Sequence, residues 1–548
     1  MYNISLIYPL KQRKFYVNPF YIQKVCTMIN GENITNLGST DIIDVNIDQS
    51  SQLLCSNHYQ LSIIDTPEGS FCELDNILNK LDTDSVLLIG DTIKYGNAGE
   101  LLVYFKSNFS FSFYGCPDDS AIIDFISLDS SKSSVDSVSG LMHFKQGKLV
   151  KNKVCDKHIC KRFQKRPLFF TNEIIEAYET SGVQIFMEGL SHGCENRCAF
   201  CKLNNNTTIS NRVHFSWIDS ARTIRNLKQK CTKRLFIQFT DENFFGGGRD
   251  RLEQIIELSN ELTSCGFRGA LGIDTRLDTF YNSRKNLAIN DLCQKAWDSM
   301  FSCGLRYCFL GLETFSESQS SRYNKNLDLS NFESTLSFLK EKGIIYTIGL
   351  ILWDPLMKTT ELIENLNFIK DNKLIGKTAS LLKTMRVQAN SQYLNQLKQK
   401  EYQSSDYFNV DDNNIEYIDR NINRILPFVH SVYKIFNDNG YRHSDVALFH
   451  VLYTEDTPII FKEIPVKISQ MEYDILEFLL QTTNISKNCD IFNIIYARCL
   501  SVVTEIITDL NRISVDEDLY AIFNYYNKVF SEIRIKLLSE INNFKKAM

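Results

Sequence analysis

Apolar positions along the chain follow two alternating rhythms, and the rhythm changes twice. In residues 1 to about 175, short continuous apolar runs (NISLIYPL, DIIDVNI, QLSIIDT, SVLLIGDT) alternate with helically spaced segments such as ELLVYFKSNF and DDSAIIDFISL. Runs of branched residues bounded by turn formers predict strands, and apolar recurrence every three to four positions predicts helices. The first region therefore reads as a Rossmann-like α/β domain. A Ser/Asp-rich stretch at 127–140, SLDSSKSSVDSVSG, reads as a surface loop and leads into an irregular segment reaching about 180.

From 183 the alternation becomes regular. VQIFMEGL, RLFIQFTDE, GALGIDTRL, RYCFLGLET, IIYTIGLIL and SLLKTMRVQ are each expected to be strands, and a helical segment separates each from the next. Strands covered by helices on one side and facing a filled interior on the other read as near-continuous apolar runs. Six β/α units predict a partial parallel barrel, with its chemistry at the carboxyl ends of the strands. Beyond about 400 the segments NINRILPFVHSVYKIFND, MEYDILEFLLQTT and LYAIFNYYNKVFSEIRIKLLSEINNF predict an all-helical region. The expected domains are 1–175, 176–400 and 401–548.

Composition narrows the class. With 548 residues, 43% apolar and 23% charged, the chain is that of a soluble globular protein too long for one core. The first residues lack a secretory apolar core and cleavage site, and no later stretch reads as a membrane span, so a cytoplasmic location is expected. A net charge of -5, from 60 basic and 65 acidic residues, gives no electrostatic case for nucleic acid as a partner. In such a chain most of the 16 cysteines are expected to be free thiols or ligands.

Three of them stand together in SHGCENRCAFCKL (191–203), at Cys194, Cys198 and Cys201, in the loop after the first barrel strand. Three thiols do not complete a structural zinc tetrahedron unless His192 serves as a fourth donor. A cubane iron-sulfur cluster needs only three, which leaves one iron open to a chelating molecule. Here the sequence resembles the radical S-adenosylmethionine (SAM) superfamily, whose signature is Cys-x3-Cys-x2-Cys with an aromatic residue before the last cysteine. Cys194, Cys198, Phe200 and Cys201 fit it, and the resemblance covers about 183 to 390. It implies a 4Fe-4S cluster whose open iron binds SAM, and reductive cleavage of SAM to a 5'-deoxyadenosyl radical. It further implies an electron donor such as flavodoxin or ferredoxin, and a small-molecule or peptide substrate.

The same resemblance assigns roles at the strand ends. Thr240, Asp241 and Glu242 stand where the family holds the methionine amino group, and a carboxylate suits an ammonium. Asp241 could instead only cap the next helix. Glu313, in FLGLET, matches the position that contacts the ribose hydroxyls. Gly349 and Ile348, in YTIGLIL, match the adenine side, with the glycine allowing close approach and the isoleucine packing against the base; barrel packing alone could also require that glycine. Arg322 and Lys325 are candidates for the SAM carboxylate or solvated cations, and Asp274 and Arg276 point toward the substrate region or pair with each other.

TDENFFGGG, the GLET strand and WDPLMKTTEL (353–362) resemble the branch that carries an amino-terminal cobalamin-binding domain. The first region departs from that branch. It has no Asp-x-His-x-x-Gly, its glycine pair is replaced by Gly90-Asp91, and its acidic turn by Gly115-Cys116-Pro117-Asp118. The expectation is a degenerate, cofactor-free domain, with cobalamin binding the alternative.

The remaining cysteines read as inert. Cys155, His158 and Cys160 lack a fourth donor nearby, Cys489 and Cys499 are too few for an auxiliary cluster, and Cys303 and Cys308 are buried thiols unless one donates hydrogen to a substrate radical. Gly246 to Gly248 read as a turn, since no Lys-Ser/Thr follows to make a phosphate loop. The function expected is hydrogen abstraction from a specialised metabolite or ribosomally made peptide. A cobalamin-dependent radical C-methyltransferase is the alternative among enzymes, and an iron-sulfur redox sensor or electron carrier the alternative from another class.

Overall fold

The computed structural model describes residues 2–9, 16–17, 37–44, 57–66, 71–90, 98–116, 120–128, 134–153, 183–201, 213–232, 235–388, 391–399, 416–441, 459–482, 488–513 and 517–547, with a few isolated positions between them. Two parallel sheets and a helical region account for it.

The first sheet contains β1 (Tyr2–Tyr8), β3 (Leu37–Asp44), β4 (Tyr59–Asp65), β5 (Thr83–Ile89) and β6 (Ser112–Gly115), all parallel, in the order β3-β1-β4-β5-β6. An antiparallel hairpin, β7 (Met142–Lys145) and β8 (Lys148–Lys151), extends it. Helices α1 (Phe71–Leu78), α2 (Ala98–Asn108) and α3 (Ser120–Ile126) connect its strands. Alternation along each strand sends Ile4, Leu6, Leu61, Ile63 and Leu87 to one core and Ile7, Ile64, Val86 and Leu88 to another, so both faces are covered. Counted among the parallel strands, this is the doubly wound 2-1-3-4-5 order. It places a switch point between β1 and β4, where open α/β sheets bind ligands.

The second sheet runs β15-β14-β13-β12-β9-β2. Its members are β9 (Val183–Glu188), β12 (Phe236–Phe239), β13 (Ala270–Arg276), β14 (Leu305–Glu313) and β15 (Ile345–Leu350), with the two-residue β2 (Tyr16–Val17) on the edge. A short pair, β10 (Ser191–His192) and β11 (Val213–His214), sits above β9. The intervening helices are α4 (Trp217–Lys230), α5 (Arg249–Ser264), α6 (Leu287–Ser302), α7 (Glu317–Tyr323), α8 (Phe332–Glu341) and α9 (Thr359–Asp371).

The sixth expected strand is not formed. Residues near 380 pair with β15 and its continuation at two isolated bridges, Ile348 to Thr378 and Trp353 to Thr384. Between those bridges side chains replace the ladder: Glu472 accepts from Leu381 N (2.8 Å) and Ser380 Oγ (2.7 Å), and Trp353 Nε1 donates to Leu381 O (2.7 Å). The parallel sheet thus reaches six strands only through the short edge strand β2, and the position expected for a strand near 380 is filled by a segment pinned from elsewhere.

That pin comes from the helical region, made of α10 (Gln392–Gln399), α11 (Arg420–Asp438), α12 (Ile459–Gln481), α13 (Asn488–Leu510) and α14 (Glu517–Ala547). Glu472 lies on α12, and Asp419, which caps α11, also accepts from Thr359 N (2.8 Å) at the start of α9. Among the described residues one helical stretch, Asp490–Leu510, has the length and apolarity to cross a membrane, contrary to expectation. In this fold its Ile495, Cys499, Val503, Ile506 and Leu510 are fully buried, and 33% of its most apolar window is buried inside the protein.

Candidate functional site

The loop after β9 carries the three cysteines and is tied down from every side. Gly193 has φ +88°, a turn that a side chain would strain, and its N–H donates to Glu242 Oε2 (3.0 Å). Asn243 Nδ2 donates to Glu195 Oε1 (2.9 Å). Ala199 N donates to Tyr323 O (2.7 Å), and Tyr393 N to Ala199 O (2.9 Å). Asn324 Nδ2 holds Arg197 O (2.8 Å), and Asn196 Nδ2 reaches Cys194 Sγ (3.3 Å).

Cys198 is buried, and Cys194 and Cys201 are half-buried. Burial pushes the Cys198 thiol up, while Lys325 and Arg276 pull it back down. Burial likewise pushes Cys201 up to about 11. A thiolate is the ligating form, so this environment favours it only with a metal present, helped by the two cations. Three soft donors in one pinned loop are the donor set that a cluster taking one iron per thiolate would need, and Asn196 Nδ2 donates to the Cys194 sulfur.

Behind the loop is a buried polar clamp that the sequence reading did not anticipate. Tyr323 packs its ring edge-on to Phe200 and its hydroxyl donates to Asp354 Oδ2 (2.8 Å). The Tyr393 hydroxyl donates to Asp354 Oδ1, and Gln319 Nε2 (2.9 Å) and Arg322 Nη2 (2.8 Å) also reach Asp354. Arg322 completes a fork onto Glu361, at 3.0 and 2.8 Å. Its guanidinium is therefore spent behind the loop. The only signal in the sequence was the WDPL stretch, which marks a turn without naming partners.

At the strand ends the expected residues separate. The Thr240 N–H bonds Glu188 O (2.8 Å). The Asp241 carboxylate is consumed inside the protein by Leu190 N (2.9 Å), the Ser191 hydroxyl and a fully buried ion pair with Arg251 (2.6 Å). It holds the cysteine loop onto β12, which leaves Glu242, half-buried beside Gly193, as the more open carboxylate of the pair.

Glu313 sits at a register shift at the end of β14 with φ +77°, a left-handed backbone that is costly for a side-chain-bearing residue. It pairs with Lys325 Nζ (3.0 Å), which also lies 5.8 Å from the centre of the Phe200 ring. Gly311 makes room, since a Cβ there would lie 3.1 Å from Glu313 Oε1 and 3.3 Å from Lys325 Nζ.

Register places Gln238, Asp274, Phe309 and Gly349 on one face and Ile237, Ile273, Leu310 and Ile348 on the other. The second set is apolar and fully buried, as a helix-covered face must be. The first carries the polar groups and is the inner face. Ile348 thus points away from Gly349, against expectation, and the space over Gly349 is taken by the Phe309 ring, 2.4 Å from where a Cβ would stand.

Arg276 pairs with Asp278 (2.9 Å) rather than with Asp274. Asp274 accepts from Gln238 Nε2 (3.1 Å), and burial, with Asp241 and Glu242 near, pushes its carboxyl up to about 7. Gly247 and Gly248 turn with φ +96° and +82° before α5. Cys303, Cys308 and Cys499 are buried, with their thiols pushed up by burial. The side chains of His192 and Cys489, and residues Asp91, Pro117, Asp118, Cys155, His158 and Cys160, lie outside the described residues.

A doubly wound parallel domain, a partial parallel barrel with a three-cysteine loop after its first strand, and a helical region together make up the architecture. Comparison with solved structures gives the same fold. The cobalamin-dependent SAM radical enzyme OxsB with aqua-cobalamin bound matches with TM-score 0.74 and 15% identity, over 97% of this chain and 84% of that one. The radical SAM methyltransferase TsrM from Kitasatospora setae, with cobalamin and a 4Fe-4S cluster bound, matches with TM-score 0.56 and 12% identity, over 73% of this chain and 75% of that one. Among curated proteins, the 4'-phospho-dehydrooxetanocin synthase of Priestia megaterium is 26% identical over 195 residues, 34% of this chain and 26% of the relative's length. No protein-family model matches the chain.

Proposed function

We propose that this protein is a radical SAM enzyme that abstracts hydrogen from a small specialised metabolite inside the barrel. The observation that carries the reading is the pinned loop of Cys194, Cys198 and Cys201, set beside Glu242, Glu313 and Lys325 at the strand ends. When bound, a 4Fe-4S cluster supplies the electron that splits chelated SAM into methionine and a 5'-deoxyadenosyl radical.

The chain's own residues do the rest. The three thiolates hold the cluster, and the Asp354 clamp fixes the loop that presents them. Glu242 offers a carboxylate to the methionine ammonium. Glu313, held by its strained backbone and by Lys325, offers acceptors to ribose hydroxyls. The Phe309 ring, on the inner face over Gly349, keeps water from the reacting centre. The relatives favour a small molecule over a peptide: the TsrM structures include one with tryptophan as substrate, and the curated relative is named as the synthase of a phosphorylated small molecule.

A second reading, a cobalamin-dependent methyltransferase, is favoured by the 2-1-3-4-5 order of the first sheet and by the cobalamin-bound neighbours. The described strand ends fit less well. Gly90, with φ +90°, has the cradle a corrin edge could use, yet the Asp65 carboxylate fills it, 2.1 Å from where a Cβ would be. The Thr66 hydroxyl is turned back onto Ile89 O (2.5 Å). A redox sensor or electron carrier would need the thiols but not the strand-end carboxylates.

Anaerobic reconstitution with iron, sulfide, SAM and dithionite tests the reading. Release of 5'-deoxyadenosine is expected, and its absence from cluster-loaded protein would sink the proposal. Corrinoid retention with S-adenosylhomocysteine formation would move it to the methyltransferase reading.

A further inference from the structure

Gln238 and Asp274 stand side by side on the inner face of β12 and β13, with Gln238 Nε2 donating to Asp274 Oδ1 at 3.1 Å. The other end of the amide is the anomaly: Gln238 Oε1 is buried, and no donor among the described residues reaches it. Flipping the amide would set its carbonyl against the carboxylate and forfeit the one bond the pair makes. An unpaired buried carbonyl costs about 1–3 kcal/mol. The fold nevertheless accommodates it, because Gly272 stands opposite, and a Cβ there would lie 2.2 Å from that oxygen.

The cations nearby are engaged elsewhere. Arg251 is paired with Asp241, Arg276 with Asp278 and Lys325 with Glu313. Asp241 and Glu242, at the adjoining strand end, add negative charge toward Asp274. Among the described residues the wall thus presents an amide oxygen that has no donor and a carboxylate that has no paired cation. A hydroxyl would satisfy the hydrogen bonds; only a cation satisfies the charge as well.

We propose that Gln238 and Asp274 form the subsite that receives a cationic amino group of the substrate, an assignment that rests on the barrel being the reaction chamber. One ammonium can donate to Asp274 and to Gln238 Oε1 together, which settles the orphaned oxygen and the charge at once. Asp274 thereby orients the substrate by its amine and leaves the carbon skeleton for reaction.

Isothermal titration of the full-length, anaerobically reconstituted protein at pH 8, with n-butylammonium, n-butanol and butyrate as probes, tests the subsite without turnover. The amine should bind at least about tenfold tighter than the alcohol, and butyrate weakest. Asp274→Asn should weaken the amine at least about tenfold. Gln238→Glu should tighten it, a gain that misfolding cannot mimic. Equal binding of the three probes, or an amine affinity untouched by both substitutions, overturns the proposal. A repeat with saturating SAM separates the occupants: retained amine binding supports a substrate site, and displacement overturns it in favour of the cosubstrate's own ammonium. Release of 5'-deoxyadenosine without amine binding would remove the subsite alone. Amine binding without 5'-deoxyadenosine would remove only the radical reading.

Discussion

The chain contains two parallel sheets built from the same kinds of residue, and their strand ends differ. In the first sheet the described polar groups at the carboxyl ends turn inward on their own backbone: Thr66 Oγ1 returns to Ile89 O, and Asp65 lies over Gly90. In the barrel the corresponding ends cross-link one another. Asp241 reaches Arg251 and the β9 loop, Asn243 spans from Glu195 to Thr275 (3.0 Å), and Arg276 reaches Lys325 O (3.0 Å). The two sheets share an architecture and differ in that network, so the proposed chemistry rests on the polar strand-end contacts rather than on the fold.

The sharpest way to break the contrast is at the cysteine loop. Cys198→Ala should abolish the iron-sulfur chromophore and with it 5'-deoxyadenosine formation, while Cys116→Ala, at a buried thiol of the first sheet, should leave both intact. Iron and sulfide content after reconstitution measures this. An unchanged cluster in the Cys198 variant would remove the functional difference between the two sheets.

Next in size is the clamp. Asp354 is fully buried and receives Tyr323, Tyr393, Gln319 and Arg322, so Asp354→Ala takes the acceptor from two phenols and an amide and leaves Arg322 with Glu361 alone. Breaking a buried ion pair by removing one partner costs about 3–5 kcal/mol. The denaturant midpoint should fall accordingly, and the reconstituted cluster should be lost faster to a chelator. In the first sheet Ser5 donates to Ser62 (2.8 Å) between β1 and β4, and Ser5→Ala should cost only about 1–3 kcal/mol, with cluster retention unchanged.

A paired glycine test is finer. Gly349→Ala drives a methyl into the Phe309 ring, and overpacking of this kind costs about 1–3 kcal/mol. Gly90→Ala, at φ +90° against Asp65, should cost a similar amount. Stability alone does not distinguish them. The yield of 5'-deoxyadenosine without added corrinoid should fall for Gly349→Ala and hold for Gly90→Ala. Equal loss in both would mean that the two sheets act as one site.

What the sequence disclosed follows the same division. The strands of both sheets were legible because parallel strands are written as continuous apolar runs, and the cysteine loop because three thiols at fixed spacing are rare. The clamp was not, since Asp354, Tyr323 and Tyr393 are far apart in sequence and each is unremarkable alone. Ile348 was misplaced by one position of strand alternation, which only register reveals. Where the sixth strand was expected, Glu472, nearly a hundred residues downstream, takes the Leu381 N–H and Trp353 takes the Leu381 carbonyl, groups a ladder would have used. The edge strand Tyr16–Val17 is too short to carry any periodicity.

A last test lies in the pH dependence that Asp274, on the inner wall of the barrel, adds to stability. Asp274 is pushed up to about 7, whereas in the unfolded chain an aspartate titrates near about 4. Between those values the folded protein keeps a proton that the unfolded chain has released. The folded state then binds more protons, so this group makes stability fall as pH rises through that window and level off above it. Asp241, Glu242 and Gln238 face the carboxyl, and other groups titrate in the same range, so only the difference between proteins is informative. The urea midpoint of the natural protein should drop more between pH 5 and pH 8 than that of Asp274→Asn. Parallel profiles would mean that the carboxyl is solvated and ordinary, and the inner wall of the barrel would lose the one electrostatic feature that sets it apart from the first sheet.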